Sequence, residues 1–228
     1  MRILDRCAAL TGATYVVLVM AGNTMSTDNS PGPHPAHPTG VQDIASLHWL
    51  ASSTSGQAGV TLELLSFGAL ALFVGYLCTR VRAGGWLGTA ALAGGVIAIA
   101  VKLASAAPMF AAYVLRDGIS PETARVLSDM NGAAFVVDWL PTGLFVACAA
   151  GAALATRTLG RTLGWGGVMA GTAAVIITAV TGVHVLAANV LPFLVCLLWI
   201  LAVSVRLGVQ RTSRMPAEAT PEPVPAAV

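Results

Sequence analysis

The chain has 228 residues, of which 56% carry hydrophobic side chains and 10% are charged. Its mean hydropathy of +0.79 is too high for a soluble globular protein of this length, so the composition predicts an integral membrane protein. The net charge of +2 is small and the basic residues form no aromatic-interleaved patch, which excludes nucleic acid as an expected partner.

The first apolar run, residues 7–25, follows a short head that contains two arginines. Such a head can also open a secretory signal, but VMAGNTM matches the small-residue pattern of a cleavage site poorly. We therefore predict that residues 1–25 form a retained first transmembrane span.

Residues 26–58 interrupt the apolar pattern with STDNSPGPHPAHPTG, which is rich in Pro, Gly and polar side chains and can neither cross a bilayer nor build a core. They predict an external loop. Within it, the apolar residues of segment 41–52 share one side of a helix, and Trp49 suits the headgroup level. We expect a short helix, capped by Thr39 or a Ser-like neighbour, that lies on the membrane surface as a lid.

Five further apolar runs are each near the ~20 residues that a ~30 Å hydrocarbon layer requires. They cover about residues 60–79, 86–112, 131–155, 165–187 and 191–207. Together with the first span they predict an all-α, polytopic membrane helix bundle with six transmembrane spans. Residues 59–210 would contain the last five of these spans.

The connectors predict the orientation, because Arg and Lys collect in the short loops on the cytoplasmic side. The arginines expected on one side are Arg2, Arg6, Arg80, Arg82, Arg157, Arg161, Arg206, Arg211 and Arg214, and those on the other are Arg116 and Arg125. Both termini are then cytoplasmic in a multi-pass protein of the cell membrane. The Pro- and Ala-rich tail, residues 211–228, is predicted to be disordered.

A weak internal repeat accompanies this layout. Aligning Trp86 with Trp165 also pairs several of the small and branched residues that follow them. The hairpin of the second and third spans and that of the fourth and fifth spans would then be parallel repeats. Because sequence rich in Ala, Val and Gly also matches itself by chance, both interpretations stay open.

Four of the predicted spans each place one titratable side chain toward the external side: Glu63, Lys102, Asp138 and His184. An ionised side chain at the centre of a membrane helix costs ~2.5–3.5 kcal/mol on insertion scales, so such residues are functional candidates by default. Lys102 can pair with one carboxylate, and we expect its partner to be Asp138, the deeper acid. Glu63 is then left over, and an unpaired buried carboxyl retains its proton more readily than one in water.

The run NGAAFVVDWLPTGLF surrounds Asp138 with polar groups. On a helix, Asn131 and Thr142 share its face, and Pro141 has no N–H to donate to the carbonyl of Val137. We predict that Glu63 and Asp138 are catalytic acids. The predicted substrate-binding residues are Lys102, Asn131, Trp139, Thr142, Thr181 and His184.

No metal or cofactor is expected. The sequence H-P-A-H-P places His34 and His37 close together, but with His48 they lie in a loop that offers zinc or copper no rigid further ligand. The four cysteines fall in apolar runs without a C-x-x-C pair, which is typical of buried free thiols. The sequence contains no G-x-S-x-G, H-E-x-x-H or phosphate-loop motif.

The runs ELLSFGALALF, LSDMNGAAFVVDWLP and LGWGGVMAG together resemble small multi-pass membrane proteins of actinobacterial type, over most of residues 55–210. The chain is also similar, more weakly, to integral-membrane terpene cyclases, which protonate a lipophilic isoprenoid with two intramembrane acids. That resemblance implies that Glu63 and Asp138 are those acids. The chain departs from these enzymes in having fewer spans and only 6% aromatic residues, where cation-stabilising rings are expected.

Three functions fit these features. The first is an enzyme that uses a buried acid to isomerise or cyclise a lipophilic, isoprenoid-like substrate. The second is a protein that binds or transports a small molecule or lipid in the same place, and the third is a structural accessory subunit whose charges brace the helices. The excess of acid over base favours the enzyme, with the lipid bilayer and a lipophilic small molecule as partners and the oligomeric state left open.

Overall fold

The computed structural model of the protein describes residues 2–26, 39–181 and 186–210, and within these ranges it contains helices and no strand. The helices are α1 (Arg2–Ser26), α2 (Gly40–Ser52), α3 (Thr54–Val81), α4 (Trp86–Leu115), α5 (Pro121–Val137), α6 (Trp139–Thr156), α7 (Arg161–Thr181) and α8 (Leu186–Val209). A single 3-10 turn, Arg82–Gly84, joins α3 to α4. The Pro-rich part of the predicted loop and the predicted tail lie outside the described residues.

Six helical segments in these ranges are long and apolar enough to cross a bilayer, and α5 and α6 together count as one of them. This confirms the predicted all-α bundle of six spans, and the chain is a multi-pass membrane protein. Most helices extend beyond the apolar runs, because helix ends carry polar residues that hydropathy does not count. The fifth run, residues 165–187, differs: α7 is described to Thr181 and α8 begins at Leu186, inside that run. The similarity between the α3–α4 and α6–α7 hairpins stays a prediction.

The spans alternate in direction, which divides the bundle into two ends. The arginine end comprises the start of α1, the end of α3, the α6–α7 connection and the end of α8. There Arg80 Nη2 lies 3.8 Å from Asp5 Oδ2, which ties α3 to α1. The opposite α2 end comprises α2, the end of α4 and the start of α5.

The fourth span differs from the prediction of residues 131–155. Its helix begins at Pro121, where the Ser120 hydroxyl accepts a hydrogen bond from the Thr123 N–H at 3.3 Å. The polar sequence SPET is a helix start, with Ser at the N-cap and Pro at the first position, and hydropathy alone assigns it to a connector because it is not apolar. At ~1.5 Å per residue, the 36 residues of Pro121–Thr156 measure roughly 54 Å, so α5 extends beyond a ~30 Å hydrocarbon layer.

The helical hydrogen-bond pattern is interrupted at Asp138, between α5 and α6, although Asp138 itself keeps helical backbone angles. Three residues later, Pro141 has no N–H with which to bond the carbonyl of Val137, and this local loss of a helical hydrogen bond accounts for the break. Asp138 therefore lies at an irregular point of the fourth span. The α6 segment that follows is the most buried part of the bundle among the described residues, and its side chains Trp139 and Phe145 are almost fully enclosed.

Small residues bring α6 close to its neighbours. A Cβ atom at Gly94 of α4 would lie 2.9 Å from the backbone N of Phe145 and 3.2 Å from the carbonyl O of Pro141. On the other side of α6, a Cβ at Gly143 would lie 2.7 Å from the carbonyl O of Gly171 in α7. Glycine permits such backbone contact between membrane helices, and at Gly94 it sets the distance between α4 and α6.

The first and last spans are joined by a buried hydroxyl. Ser204 Oγ of α8 accepts a hydrogen bond from the Ala13 N–H at 2.8 Å and donates one to the Ala9 carbonyl at 2.5 Å. These two groups of α1 are separated by four residues, which is the spacing of a helical hydrogen bond. The Ser204 side chain therefore inserts into the backbone ladder of α1, and it is fully buried there.

Helix α2 packs against α5, α3 and α4 at the α2 end. It has the predicted cap, since the Gln42 side chain accepts a hydrogen bond from the Thr39 N–H at 2.7 Å, and Leu47 is 3% exposed. Asp43 Oδ2 lies 3.8 Å from Arg125 Nη1 of α5. Burial raises the pKa of the Asp43 carboxyl, and the Arg125 charge opposes that rise.

Candidate intramembrane acid–base site

Lys102 and Asp138 form an ion pair between α4 and α6. The Lys102 ammonium donates a hydrogen bond to Asp138 Oδ2, and the two side chains are 12% and 3% exposed. The contact between α4 and α6 at Gly94, about two turns from Lys102, positions the lysine beside the acid. Two opposite charges that would each be costly in an apolar bundle are thereby paired, as predicted.

Residues of the α6 first turn support this pair. Thr142 Oγ1 donates a second hydrogen bond to Asp138 Oδ2 at 3.1 Å, and Thr142 is buried. The Lys102 ammonium also lies 5.1 Å from the ring centroid of Trp139, within the range of a cation–π contact. The ammonium thus has both an anionic and an aromatic neighbour, so its charge is held in one place.

Three aromatic rings cluster next to the pair. Phe135 and Trp139 have centroids 5.3 Å apart, and Phe193 of α8 lies 5.1 Å from Trp139 and 5.8 Å from Phe135. All three contacts are edge-to-face, a favourable geometry for aromatic pairs. A low overall aromatic content therefore does not preclude a local group of rings at the site.

Glu63, Lys102 and Asp138 lie at a common level of the bundle. Counted along their helices from the arginine end at ~1.5 Å per residue, Glu63 and Asp138 are each roughly 27 Å away and Lys102 is roughly 24 Å away. Glu63 is partly buried on α3, and its carboxylate is close enough to interact with the Lys102 charge. Among the described residues it has no ion-pair partner within 4.0 Å, whereas Asp138 has Lys102.

Two residues at this level were missed from the sequence. The Tyr15 side chain of α1 is 2% exposed and lies within interaction range of Lys102 and Asp138, and Cys196 of α8 is buried within range of the same two groups. Tyr15 could have been suspected, because it is a phenol within the first apolar run. Nothing in the sequence assigns Cys196 to this level, because that requires knowing how α8 packs.

The structure brings together part of the predicted site. Lys102, Asp138, Trp139 and Thr142 are in contact, and Glu63 lies nearby. Asn131 is half-buried on α5, about two turns from Asp138 toward the α2 end. The side chain of Thr181 and the whole of His184 lie outside the described residues, as do His34 and His37, while His48 Nδ1 lies 3.8 Å from Asp117 Oδ1.

Two polar atoms at the site are buried without a hydrogen-bond partner in the described part of the chain. They are Asp138 Oδ1, an acceptor, and Trp139 Nε1, a donor. Buried polar atoms are nearly always satisfied in native proteins, and leaving one unsatisfied costs ~1–3 kcal/mol. A small polar group that both donates and accepts hydrogen bonds, such as a hydroxyl or a water molecule, would satisfy such atoms.

The two carboxyl groups of the site differ in what they can do chemically. The Asp138 carboxylate is paired with a lysine and accepts from a hydroxyl, so it is stabilised as an anion. The Glu63 carboxyl lacks such a partner in the described residues and can bind or release a proton without breaking an ion pair. No protein-family model, curated protein or solved structure matches this chain, so the site's chemistry rests on its own geometry.

Proposed function

We propose that the protein is an intramembrane acid–base enzyme in which Glu63 donates a proton to a lipophilic, isoprenoid-like substrate. One observation carries this proposal. Among the residues that the structure describes, two carboxylates and one ammonium lie at one level of the bundle, and the ammonium is engaged by Asp138. A strut between helices needs one acid for one base, so the second carboxyl is available for proton transfer.

The proposed reaction needs no oxidant or cofactor. The Glu63 carboxyl transfers its proton to one carbon of a substrate double bond, so that a C–H bond forms and the neighbouring carbon becomes a cation. Loss of a proton from another carbon of the substrate, with or without ring closure, restores a neutral alkene. That proton returns to the Glu63 carboxylate, and the net result is isomerisation or cyclisation.

The other predicted site residues have supporting roles in this proposal. The pair of Lys102 and Asp138 supplies a fixed polar wall that Thr142 and Trp139 hold in place. The Phe135, Trp139 and Phe193 rings offer π-faces that favour a developing cation. We include Asn131, Thr181 and His184 as substrate-binding residues toward the α2 end.

The alternatives are a structural accessory subunit and a protein that binds or transports a small molecule. The subunit is favoured by the direct bond between Lys102 and Asp138, which neutralises both charges without a ligand. The binding protein is favoured by the two unpartnered atoms at Asp138 and Trp139. Neither alternative gives the second carboxyl a role.

Replacing Glu63 by Gln should abolish proton-initiated chemistry and leave the fold intact. Gln keeps the shape of the side chain but has no proton to donate at neutral pH. The protein would be incubated in lipid nanodiscs and D₂O with prenyl-chain alkenes, and deuterium in the product would be measured by mass spectrometry. We expect incorporation with the parent, at least 100-fold less with Glu63→Gln, in line with the ~10²–10⁴-fold contribution of general acid–base catalysis, and equal thermal stability.

Glu122→Gln is the matched control, because Glu122 is exposed at the start of α5 and should not affect turnover. Deuterium incorporation by Glu63→Gln at the rate of the parent would contradict the assignment of this acid. If the parent binds the alkene but incorporates no deuterium, the binding function replaces the enzyme. If the parent neither binds the alkene nor incorporates deuterium, the structural subunit becomes the favoured function.

The orientation forms part of this proposal. We infer a location in the cell membrane with both termini and the arginine end cytoplasmic, which places α2 and the site toward the external side. The distribution of arginines supports this, because Arg157, Arg161 and Arg206 lie at the arginine end while Arg116 and Arg125 lie at the other. A cysteine placed at position 83 should be labelled by a membrane-impermeant thiol reagent only after the cells are opened, and labelling of intact cells there would reverse the orientation.

A further inference from the structure

A second candidate site lies at the arginine end, remote from Glu63 and Asp138. Arg157, Gly160 and Arg161 line a cavity of about 480 Å³ between the end of α6 and the start of α7. The volume is in the range of small-molecule sites in proteins. The proposed enzyme makes no use of this cavity, so a role for it is independent of that function.

Two arginines line the cavity and a third lies next to its wall. Arg157 and Arg161 line it, and Arg206 Nη2 of α8 would lie 3.5 Å from a Cβ atom at Gly160 in its wall. In the ranges that the structure describes, none of the three has a carboxylate within 4.0 Å, in contrast to Arg80 with Asp5 and Arg125 with Asp129. Arginines at the cavity that have no acid beside them attract an anion.

The local backbone adds to this positive field. Arg157 ends α6 with a φ of 55° and Gly160 has a φ of 78°, so the chain reverses within a few residues and α7 begins at the cavity. The first N–H groups of a helix have no partner within the helix, and its N-terminus carries partial positive charge. Phosphate groups bind at such positions, and arginine fits their oxygens with two parallel hydrogen bonds.

The depth of the cavity indicates where its anion comes from. Arg157 directly follows the span Pro121–Thr156, and Arg161 is the first residue of the next span, so both lie at the level of the lipid headgroups. Trp165, one turn inside, lines the cavity and is 60% exposed, as is typical of the membrane–water interface. Leu154 adds an apolar wall on the hydrocarbon side.

We propose that this cavity binds the phosphate of an anionic phospholipid. The guanidinium groups of Arg157, Arg161 and Arg206 contact the phosphate oxygens, and Trp165 and Leu154 contact the glycerol and the start of the acyl chains. A zwitterionic lipid offers the same phosphate but carries a compensating cation in its headgroup. The site therefore selects phosphatidylglycerol over phosphatidylcholine.

The test compares lipid binding by the parent and by Arg157→Gln/Arg161→Gln, after delipidation in a neutral detergent. Lipids retained on the full chain are measured by native mass spectrometry across a titration with phosphatidylglycerol or phosphatidylcholine. At about fivefold per arginine, the double variant should bind phosphatidylglycerol roughly 25-fold more weakly, with little change for phosphatidylcholine. Arg82→Gln, exposed at the same end but outside the cavity lining, is the matched control and should bind as the parent does.

Additional variants and measurements distinguish a loss of lipid binding from misfolding, and lipid binding from the binding of free phosphate. Arg157→Lys/Arg161→Lys keeps the charge but loses the planar fork, so it should fall between the parent and the Gln variant. Equal thermal stability of the variants in phosphatidylcholine would show that they fold. The proposal is overturned if the parent has no preference for phosphatidylglycerol, if the Gln variant keeps that preference, or if inorganic phosphate at millimolar concentration displaces the lipid.

Discussion

Replacing Asp138 by Asn should lower the free energy of unfolding by about 3–5 kcal/mol, because it leaves the Lys102 ammonium buried without its counter-charge. Lys102→Met should cost a similar amount, since it leaves the Asp138 carboxylate in the same position. The double variant removes both charges and should be more stable than either single variant. Unfolding of the four proteins would be followed in detergent, and the double-mutant cycle gives the coupling energy.

A matched control uses the pair of Asp5 and Arg80 at the arginine end, whose side chains are 48% and 38% exposed. Water screens such a pair, so Asp5→Asn should change stability by less than about 1 kcal/mol. An Asp138→Asn protein as stable as the parent would show that the buried pair is not coupled. If the double variant is less stable than either single variant, the ion pair stabilises the fold by more than the cancellation of its two buried charges.

Replacing Gly94 by Ala should destabilise the bundle by about 1–3 kcal/mol, the usual cost of overpacking. The added Cβ would lie 2.9 Å from the backbone N of Phe145, and backbone cannot rotate away as a flexible side chain can. Helices α4 and α6 must then separate, which also draws Lys102 away from Asp138. Thermal unfolding in detergent would measure the loss of stability.

Gly68→Ala is the control, because a Cβ at Gly68 of α3 has no atom within 4 Å. It should be neutral, or stabilise the protein by up to about 1 kcal/mol through the better helix propensity of Ala. A Gly94→Ala protein with unchanged stability would mean that α4 and α6 tolerate a wider separation. If both substitutions destabilise the protein as expected, the double variant Gly94→Ala/Asp138→Asn should lose less stability than the sum of the two single losses, since both weaken the same contact.

The part of the fold that depends on hydropathy could be predicted from the sequence. Six spans follow from apolar runs near the length of a bilayer, and Thr39 was among the residues expected to cap α2. The extent of α5 did not follow, because a helix start at Ser120 that projects from the membrane leaves no hydropathy signal. The break at Asp138 was indicated by Pro141.

The charged members of the site were predictable because charge is costly in an apolar span, and the depths of Glu63, Lys102 and Asp138 follow from counting along helices. The pairing of Lys102 with Asp138 was expected from the relative depth of the two acids. Phe193 and Cys196 were not predictable, because their place depends on how α8 rotates against α6. The aromatic group escaped prediction because composition reports how many rings a chain has and not where they meet.

The Ser204 hydroxyl that enters the backbone of α1 has a consequence for biogenesis. Its two partners, Ala13 and Ala9, lie 191 and 195 residues before it in the sequence, so α1 gains these contacts only after α8 has been synthesised. At ~5–20 residues per second, α1 waits roughly 10–40 s in the membrane for this contact. Until α8 is inserted, the face of α1 that receives Ser204 is open to lipid or to other membrane helices.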